Sequence, residues 1–217
     1  MRIAPSILSA DFSKLASEIE RVEAAGASQL HLDVMDGHYV PNLTFGPTIV
    51  EAVRRTTKLP LDVHLMIENA ERWVDAYMDA GADMIAVHPE TLYHPHLTLT
   101  SISKRGKQAG IALNPGMSLS AIEELLPIID YAIIMSVNPG WGGQKFIEGS
   151  FERARRLRQL ARDADTSLTI EIDGGMNVEQ IPRASEAGID VVIAGSAVFK
   201  ADDPAAVIAD MLQAASV

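Results

Sequence analysis

The chain contains no cysteine among its 217 residues, which excludes disulfide bonds, thiolate nucleophiles and cysteine-based zinc sites and is typical of a reducing compartment. Basic side chains are also scarce, because 18 Lys and Arg stand against 29 Asp and Glu, a formal charge of −11. Nucleic acids and anionic membranes attract proteins with basic surfaces, so we expect neither as a partner. The start of the chain has no basic, apolar leader, and no apolar run approaches the ~18 residues of a membrane span. We therefore expect a cytoplasmic protein with neither a signal peptide nor a membrane helix.

What the chain does have is a repeat of Ala-Gly pairs, at 25–26, 80–81, 109–110 and 187–188. We interpret each glycine as the left-handed residue that ends a helix before a strand begins. The spacings of these glycines, 55, 29 and 78 residues, are close to two, one and three units of about 27, and 217 residues make eight such units. The pattern predicts one domain over residues 1–217 built from eight βα units.

Eight short runs rich in Val, Ile and Leu alternate with helical patterns, which is typical of parallel βαβ units. The predicted strands are 3–8, 29–35, 61–66, 83–88, 111–114, 131–136, 168–173 and 190–194, with helices that include 13–25, 70–80 and 150–164. Eight units favour the α/β class and a closed (β/α)₈ TIM barrel, with an open doubly wound sheet as the alternative. Active sites of such barrels lie at the carboxyl ends of the strands.

Polar side chains collect at those strand ends. On the second strand His31 and Asp33 share one face, and His64 has the same parity on the third, while the alternate residues are apolar. Asp173 ends the seventh strand. Two His and two Asp that converge in a barrel mouth predict a site for one divalent cation, with Zn²⁺, Fe²⁺, Mn²⁺ and Co²⁺ all compatible. The alternative is that they are hydrogen-bonded core residues, and we assign that structural role to Asp62, which lies lower on the third strand.

Asp33 and Asp173 on opposite sides of one pocket also suggest proton transfer. Moving a proton from one face of a carbon next to a carbonyl to the other needs an acid and a base that flank that carbon. A metal on the neighbouring oxygens would stabilise the enediolate that forms. Spacing alone does not establish this pairing.

Glycine-rich loops follow the sixth, seventh and eighth strands of the predicted barrel. Loops at these positions commonly bind phosphate through backbone N–H groups, which suits a small anionic substrate despite the negative total charge. The loops lie at 138–144 (NPGWGGQ), 173–175 (DGG) and 195–196 (GS).

Several blocks of the sequence resemble ribulose-phosphate 3-epimerases, in that family's order from residue 4 to about 199. The most specific are residues 31–42 (HLDVMDGHYVPN) and 62–66 (DVHLM). The others are 4–12 (APSILSADF), 135–147, which begins MSVNPG, 173–175 (DGG) and 194–199 (AGSAVF).

The resemblance implies an isomerase of pentose phosphate metabolism that interconverts D-ribulose 5-phosphate and D-xylulose 5-phosphate at C3, and we expect a homo-oligomer. It also implies that His31, Asp33, His64 and Asp173 bind the metal, and that Asp33 and Asp173 exchange the roles of proton acceptor and donor. Ser6 and His64 would contact the substrate. The remaining implied substrate contacts are Met35, Met66 and Met135 as an apolar wall, for which core filling is the alternative, and Gly140, Trp141, Gly142, Gly143, Gly174, Gly175, Gly195 and Ser196 around the phosphate.

Two departures leave the sugar open. Residues 88–91 (HPET) resemble the hexulose-phosphate branch, whose members act on sugars such as allulose 6-phosphate, whereas the glycine loops favour the pentulose branch. Trp141 stands where phenylalanine is usual. His88, Glu90, His94 and His96 could suggest a second metal site, but two prolines interrupt the string and we do not assign one.

Two other classes of function compete with an epimerase. A carbon–carbon lyase on the same barrel is one alternative, although a Schiff-base lyase needs a lysine inside the barrel. All six lysines fall in predicted helices or loops. A metal-dependent lyase and a non-catalytic sugar-phosphate binder remain.

Overall fold

Eight strands form the centre of the molecule, and each overlaps one of the predicted runs. The computed structural model describes residues 1–215. The strands are β1 (Arg2–Pro5), β2 (Leu30–Met35), β3 (Leu61–Met66), β4 (Met84–Val87), β5 (Gln108–Leu113), β6 (Tyr131–Met135), β7 (Thr169–Asp173) and β8 (Val191–Ala194).

Helices connect the strands and cover the outside of the sheet. They are α1 (Leu15–Ala24), α2 (Pro47–Thr56), α3 (Val74–Asp79), α4 (Pro95–Lys104), α5 (Ser150–Asp163), α6 (Ile181–Glu186), α7 (Ser196–Phe199) and α8 (Pro204–Ala214). Shorter 3₁₀ segments lie at Ile7–Ser9, Phe12–Lys14, Ala70–Arg72, Pro89–Thr91 and Val178–Gln180, and a longer one at Leu119–Ile128 takes the place of a helix between β5 and β6.

The strands pair in parallel and in chain order, β1-β8-β7-β6-β5-β4-β3-β2. The two ends of this sheet meet, because Ser6 forms a parallel bridge with His31 and the Ser28 amide donates to the Ile3 carbonyl at 3.0 Å. The sheet is therefore a nearly closed barrel, and the predicted (β/α)₈ TIM barrel is confirmed.

The two faces of the strands differ as their parity predicts. Leu30, Leu32 and Val34 on β2 are fully or almost fully buried in the large apolar layer between sheet and helices. Residues of the other parity point into the barrel, where a smaller apolar cluster forms around Tyr131 and Ile133. The interior is thus filled by side chains, and its upper end carries the polar groups.

Three of the four Ala-Gly pairs end helices as predicted, since Gly26, Gly81 and Gly188 have φ of 96°, 111° and 76°. The interpretation of Gly110 is wrong, because this glycine lies inside β5. The left-handed glycine that follows the end of α4 is Gly106, with a φ of 70°. Gly110 serves packing: a Cβ at this position would lie 2.3 Å from the ring of Tyr131 on the neighbouring strand.

The largest differences from the predicted boundaries lie in three places. β1 ends at Pro5, because Ser6 caps the following 3₁₀ turn by accepting the Leu8 amide hydrogen bond. β5 begins at Gln108, three residues earlier than expected, and the helix predicted over 70–80 is a 3₁₀ turn followed by α3. Over residues 1–215, no helix combines the length and the apolar character that crossing a membrane requires.

Candidate active site

His31, Asp33, His64 and Asp173 converge at the carboxyl end of the barrel, as the sequence predicts. Their potential ligand atoms all lie within 4.8 Å of one another. His31 Nε2 and His64 Nδ1 each lie 3.4 Å from Asp33 Oδ1, and His64 Nδ1 lies 3.9 Å from Asp173 Oδ2. Asp33 therefore sits between the two imidazoles, and Asp173 approaches from the other side.

The register of two neighbouring strands produces this arrangement. Asp33 on β2 is the direct partner of His64 on β3, and His31 lies two residues earlier on the same face. The loop after β2 fixes the strand end, because the Thr44 hydroxyl donates to the Asp33 carbonyl at 2.7 Å and accepts from the Met35 amide at 2.9 Å. The backbone beneath the site is thus held in place.

Each imidazole uses its other nitrogen for a buried hydrogen bond. His31 Nδ1 lies 2.6 Å from Asp62 Oδ2, and Asp62 also accepts the Tyr131 hydroxyl at 2.6 Å. Asp62 is fully buried below the cluster, so the role assigned to it from the sequence agrees with its position. His64 Nε2 lies 2.9 Å from Nε2 of His88, whose pKa burial lowers to about 4.

Asp33 is an anion stabilised by its neighbours. Burial acts to raise its pKa, but the nearby His31 and His64 outweigh burial and hold the pKa well below its usual range. Its second oxygen accepts the Ser6 hydroxyl at 2.5 Å. For His31, burial acts to lower the pKa, yet the carboxylates of Asp33 and Asp62 raise it well above the ordinary value.

Asp173 has the opposite character. Burial and the negative charge of Asp33 raise its pKa to about 7. Near neutral pH one carboxyl group is therefore ionised while the other can hold a proton. Two carboxyl groups whose pKa values are separated in this way can serve as base and acid in the same site.

The four residues fit a divalent cation. His31 Nε2 and His64 Nδ1 are buried and have no hydrogen-bond partner, and both face the same carboxylate oxygen. An ion with four bonds of about 2.1 Å has ligand atoms about 3.4 Å apart, close to the separations found here. Two imidazoles and two carboxylates suit Zn²⁺, Fe²⁺, Mn²⁺ or Co²⁺.

A second buried group, His31, Asp62 and Glu171, also has ligand-like spacing. Its electrostatics do not fit a cation, because burial raises the pKa of Glu171 well above normal and both Asp62 oxygens already accept hydrogen bonds. In residues 1–215 these are the two groups with such spacing, and neither includes a residue of the string from His88 to His96.

A cleft above the cluster contains the other predicted site residues. Asp33 and Asp173 form its floor, and Trp141 stands half exposed at its rim. His31 and His64 lie fully buried beneath it. The remaining predicted residues that line the cleft are Ser6, Met35, Met66, Met135, Gly140, Gly142, Gly143, Gly174, Gly175, Gly195 and Ser196.

The turn after β7 requires its glycines. Gly174 has a φ of 115°, and a Cβ there would lie 2.4 Å from a methyl group of Val137. The Ser136 hydroxyl donates to the carbonyls of Asp173 and Gly174 at 2.8 and 2.7 Å. This turn brings backbone to the cleft wall directly beside the Asp173 carboxyl group.

Sequence reasoning missed two sets of residues near the site. Ser9 lines the cleft, and its hydroxyl lies between the loops that contain Gly142 and Gly195; its place in the 4–12 block is the signal that could have found it. His88 and Glu90 lie behind His64, and only the unassigned His-x-Glu string pointed to them.

A Schiff-base lyase would need a lysine on one of the barrel strands. No strand within residues 1–215 carries a lysine, so no strand residue there could form such a Schiff base.

Comparison with known sequences identifies one family. Residues 2–199 match the model of the "Ribulose-phosphate 3 epimerase family". The ribulose-phosphate 3-epimerase of Bacillus subtilis (strain 168) is 48% identical over 204 residues, which cover 94% of each chain. The enzyme of that name from Synechocystis sp. is 50% identical over 209 residues, covering 95% of this chain and 91% of the relative.

Solved structures show how widely the fold is shared. The 3-keto-L-gulonate-6-phosphate decarboxylase from Vibrio cholerae superposes with a TM-score of 0.75 over 99% of this chain and 97% of its own, at 16% identity. At this identity the likeness concerns the fold alone. The barrel therefore does not separate epimerases from lyases, and the distinction depends on the sequence match and the site.

Proposed function

The chain belongs to the ribulose-phosphate 3-epimerase family, and from this membership and its site we propose that it interconverts D-ribulose 5-phosphate and D-xylulose 5-phosphate. The observation that carries the proposal is the pair of carboxyl groups with opposite protonation preference on the floor of one cleft. Inversion at C3 needs a base on one face of the carbon and an acid on the other. Asp33 and Asp173 supply both.

In the proposed reaction, the ionised Asp33 removes the C3 proton and the electron pair moves toward the C2 carbonyl, giving an enediolate. Asp173, whose pKa is raised to about 7 in the metal-free site, delivers a proton to the opposite face of C3, where the C2 carbonyl forms again. The reverse reaction exchanges the two roles. The Ser6 hydroxyl, 2.5 Å from Asp33 Oδ2, orients the base.

His31, His64, Asp33 and Asp173 are the residues that would hold a divalent cation. When bound, such an ion supplies Lewis acidity that stabilises negative charge on the substrate oxygens.

The rest of the cleft suits a sugar phosphate. Glycine-rich turns at one end accept a phosphate through backbone N–H groups without a cationic patch. We propose that the phosphate is contacted by residues of these turns, namely Gly140, Trp141, Gly142, Gly143, Gly174, Gly175, Gly195 and Ser196. Met35, Met66 and Met135 form an apolar wall near the carboxyl groups.

We propose that a pentulose phosphate is a better substrate than a hexulose phosphate. The 88–91 segment that resembles the hexulose branch does not line the cleft, since Pro89–Thr91 forms a 3₁₀ turn outside it. The curated relatives compared above are both ribulose-phosphate 3-epimerases. A direct comparison of kcat/KM for ribulose 5-phosphate and allulose 6-phosphate checks the preference.

The decisive experiment is incubation with ribulose 5-phosphate in D₂O. We expect xylulose 5-phosphate with deuterium at C3. Two smaller fragments would indicate a lyase. If deuterium entered neither ribulose 5-phosphate nor, in a parallel incubation, a hexulose phosphate, the result would contradict catalysis.

Asp33→Asn and Asp173→Asn should each lower kcat at least about 10²-fold, because each removes one proton carrier. Asp210→Asn, which changes an exposed carboxylate on α8, is the matched control and should keep full activity. Normal turnover by either site variant would show that the two-base assignment is wrong.

We propose further that residues 1–217 act as one catalytic domain in the cytoplasm. A homo-oligomer also remains a prediction, which light scattering of the purified chain can check.

A further inference from the structure

His64 is backed by a second imidazole that no part of the proposed reaction uses. His88 follows β4, is fully buried, and places its Nε2 2.9 Å from Nε2 of His64. The ring centroids are 5.0 Å apart and the planes are 30° from parallel. Between two neutral rings this contact holds a single proton, so one ring donates and the other accepts. The tautomers of His64 and His88 are therefore coupled.

The far side of His88 faces a carboxylate. His88 Nδ1 lies 3.6 Å from Glu90 Oε1, an ion-pair distance, and has no hydrogen-bond partner. The same Glu90 oxygen accepts the Tyr39 hydroxyl at 2.8 Å and the Asn114 amide, which also donates to Tyr39 at 2.6 Å. These bonds hold the Glu90 carboxylate in place, and its negative charge favours a proton on the facing Nδ1 of His88.

The consequence for His64 follows step by step. With its proton on Nδ1, His88 presents a lone pair at Nε2. His64 then carries its proton on Nε2 and donates it to that lone pair. This leaves a lone pair on His64 Nδ1 where it faces Asp33 at 3.4 Å and Asp173 at 3.9 Å. The Asp33 carboxylate attracts the same proton toward Nδ1 of His64, so the buried contact with His88 and the charge of Glu90 must outweigh it.

We propose that His88 and Glu90 are positioning residues that fix the tautomer of His64, so that the Nδ1 lone pair faces the cation site. The inference rests on the metal-binding role proposed above. Partners of this kind, hydrogen-bonded to the far nitrogen of a ligating histidine, orient the ring and raise its basicity. Asp62 makes the direct contact to His31, whereas His64 reaches its carboxylate through a second ring.

A purely packing role for His88 predicts a different result. In that case substitution would loosen β4 and lower stability, but the proton on His64 would not move. The test therefore reads the tautomer and the metal affinity separately from stability.

The variants are His88→Leu, which removes the acceptor, and His88→Gln, whose amide oxygen can still accept from His64. Glu90→Gln weakens the charge that orients His88. Met84→Leu, a buried apolar change on β4, the strand that precedes His88, is the matched control. Each metal-free chain is titrated with Co²⁺, followed by its visible absorption, and with Zn²⁺ in competition with a chromophoric chelator.

We expect His88→Leu to weaken both metals by about 10–100-fold, Glu90→Gln to weaken them less, and His88→Gln and Met84→Leu to stay close to the unmodified chain. Imidazole ¹H–¹⁵N spectra of the metal-free protein should show His64 protonated on Nε2 in the unmodified chain and on Nδ1 in His88→Leu.

Metal affinity unchanged in His88→Leu overturns the inference and leaves the epimerase proposal intact. So does a proton on Nδ1 of His64 in the unmodified, metal-free chain, a measurement that needs no variant to fold. Failure of the unmodified chain to bind either metal would instead count against the proposed metal site, and the spectra would still decide the tautomer.

Discussion

The raised pKa of Asp173 has a measurable consequence for the stability of the metal-free protein. In the folded chain this carboxyl group titrates at about 7, against a reference value of 3.8. Between these two pH values the unfolded chain releases the proton while the folded chain retains it. The folded state is therefore progressively disfavoured as pH rises from about 4 to 7, and this penalty disappears on acidification. Asp173→Asn removes the titrating group and with it the pH-dependent penalty.

The size of the effect follows from the shift. A difference of about three pH units corresponds to roughly 4 kcal/mol when the group is fully ionised. Because the side chain of Asp173 keeps 16% of its exposure, we expect somewhat less. Because part of the penalty is already present at pH 5, the stability difference between Asp173→Asn and the unmodified chain should grow by about 2 kcal/mol between pH 5 and pH 8.

Urea unfolding of both chelator-treated proteins across this pH range measures the difference. His31, His64 and His88 also titrate, but they are common to both proteins and largely cancel. Asp210→Asn, which changes an exposed carboxylate on α8, is the matched control. Added Zn²⁺ should stabilise the unmodified chain most at pH 8, where the ionised carboxylate can bind it. A stability difference between Asp173→Asn and the unmodified chain that is equal at pH 5 and pH 8 would refute the assignment of Asp173 as the proton-holding member of the pair.

Two further predictions concern single contacts. Ser6→Ala removes the buried hydrogen bond to Asp33, and because such bonds to charged groups contribute about 1.5–3 kcal/mol, we expect kcat to fall about 10–100-fold in steady-state assays; an unchanged kcat would exclude an orienting role. Gly110→Ala places a Cβ 2.3 Å from the Tyr131 ring and should lower the free energy of unfolding by at least about 1–3 kcal/mol. A smaller residue at 131 should relieve the strain, and an additive double variant would contradict this explanation.

The sequence allowed the barrel and the four metal-cluster residues to be predicted because both depend on local periodicity. Alternation on β2 places His31 and Asp33 on one face, and the same alternation on β3 places His64 beside them. Neighbouring parallel strands present their carboxyl ends together, so no long-range information was needed.

What escaped prediction depends on contacts between distant parts of the chain. Gly110 was interpreted as a helix end because the sequence does not show that Tyr131, 21 residues later, occupies the space beside it. The contact of Asp62 with Tyr131 spans 69 residues. His88 and Glu90 were recognised as a polar string, but their function depends on which ring lies opposite, which only the packed barrel determines.

The difference in pKa between the two carboxyl groups, Asp33 and Asp173, arises from strand register. Asp33 has one imidazole two residues before it on β2 and another directly beside it on β3, each 3.4 Å away. Asp173 stands on β7 and has one imidazole, His64, at 3.9 Å, while it faces the charge of Asp33. The same backbone that gathers the four proposed metal ligands therefore separates the pKa values of the two carboxyl groups before substrate arrives.

The proposed reaction reverses that distribution, because inversion at C3 would leave the proton on Asp33 and the charge on Asp173. This product state is the one suited to the opposite epimer. In the metal-free site it is also the less stable state, since the pKa of Asp33 is lowered and that of Asp173 raised. A cation that contacts both carboxylates would favour the ionised form of each and so reduce the difference between them. A cation held by these residues would therefore make the two proton-transfer directions of the proposed reaction more nearly equal.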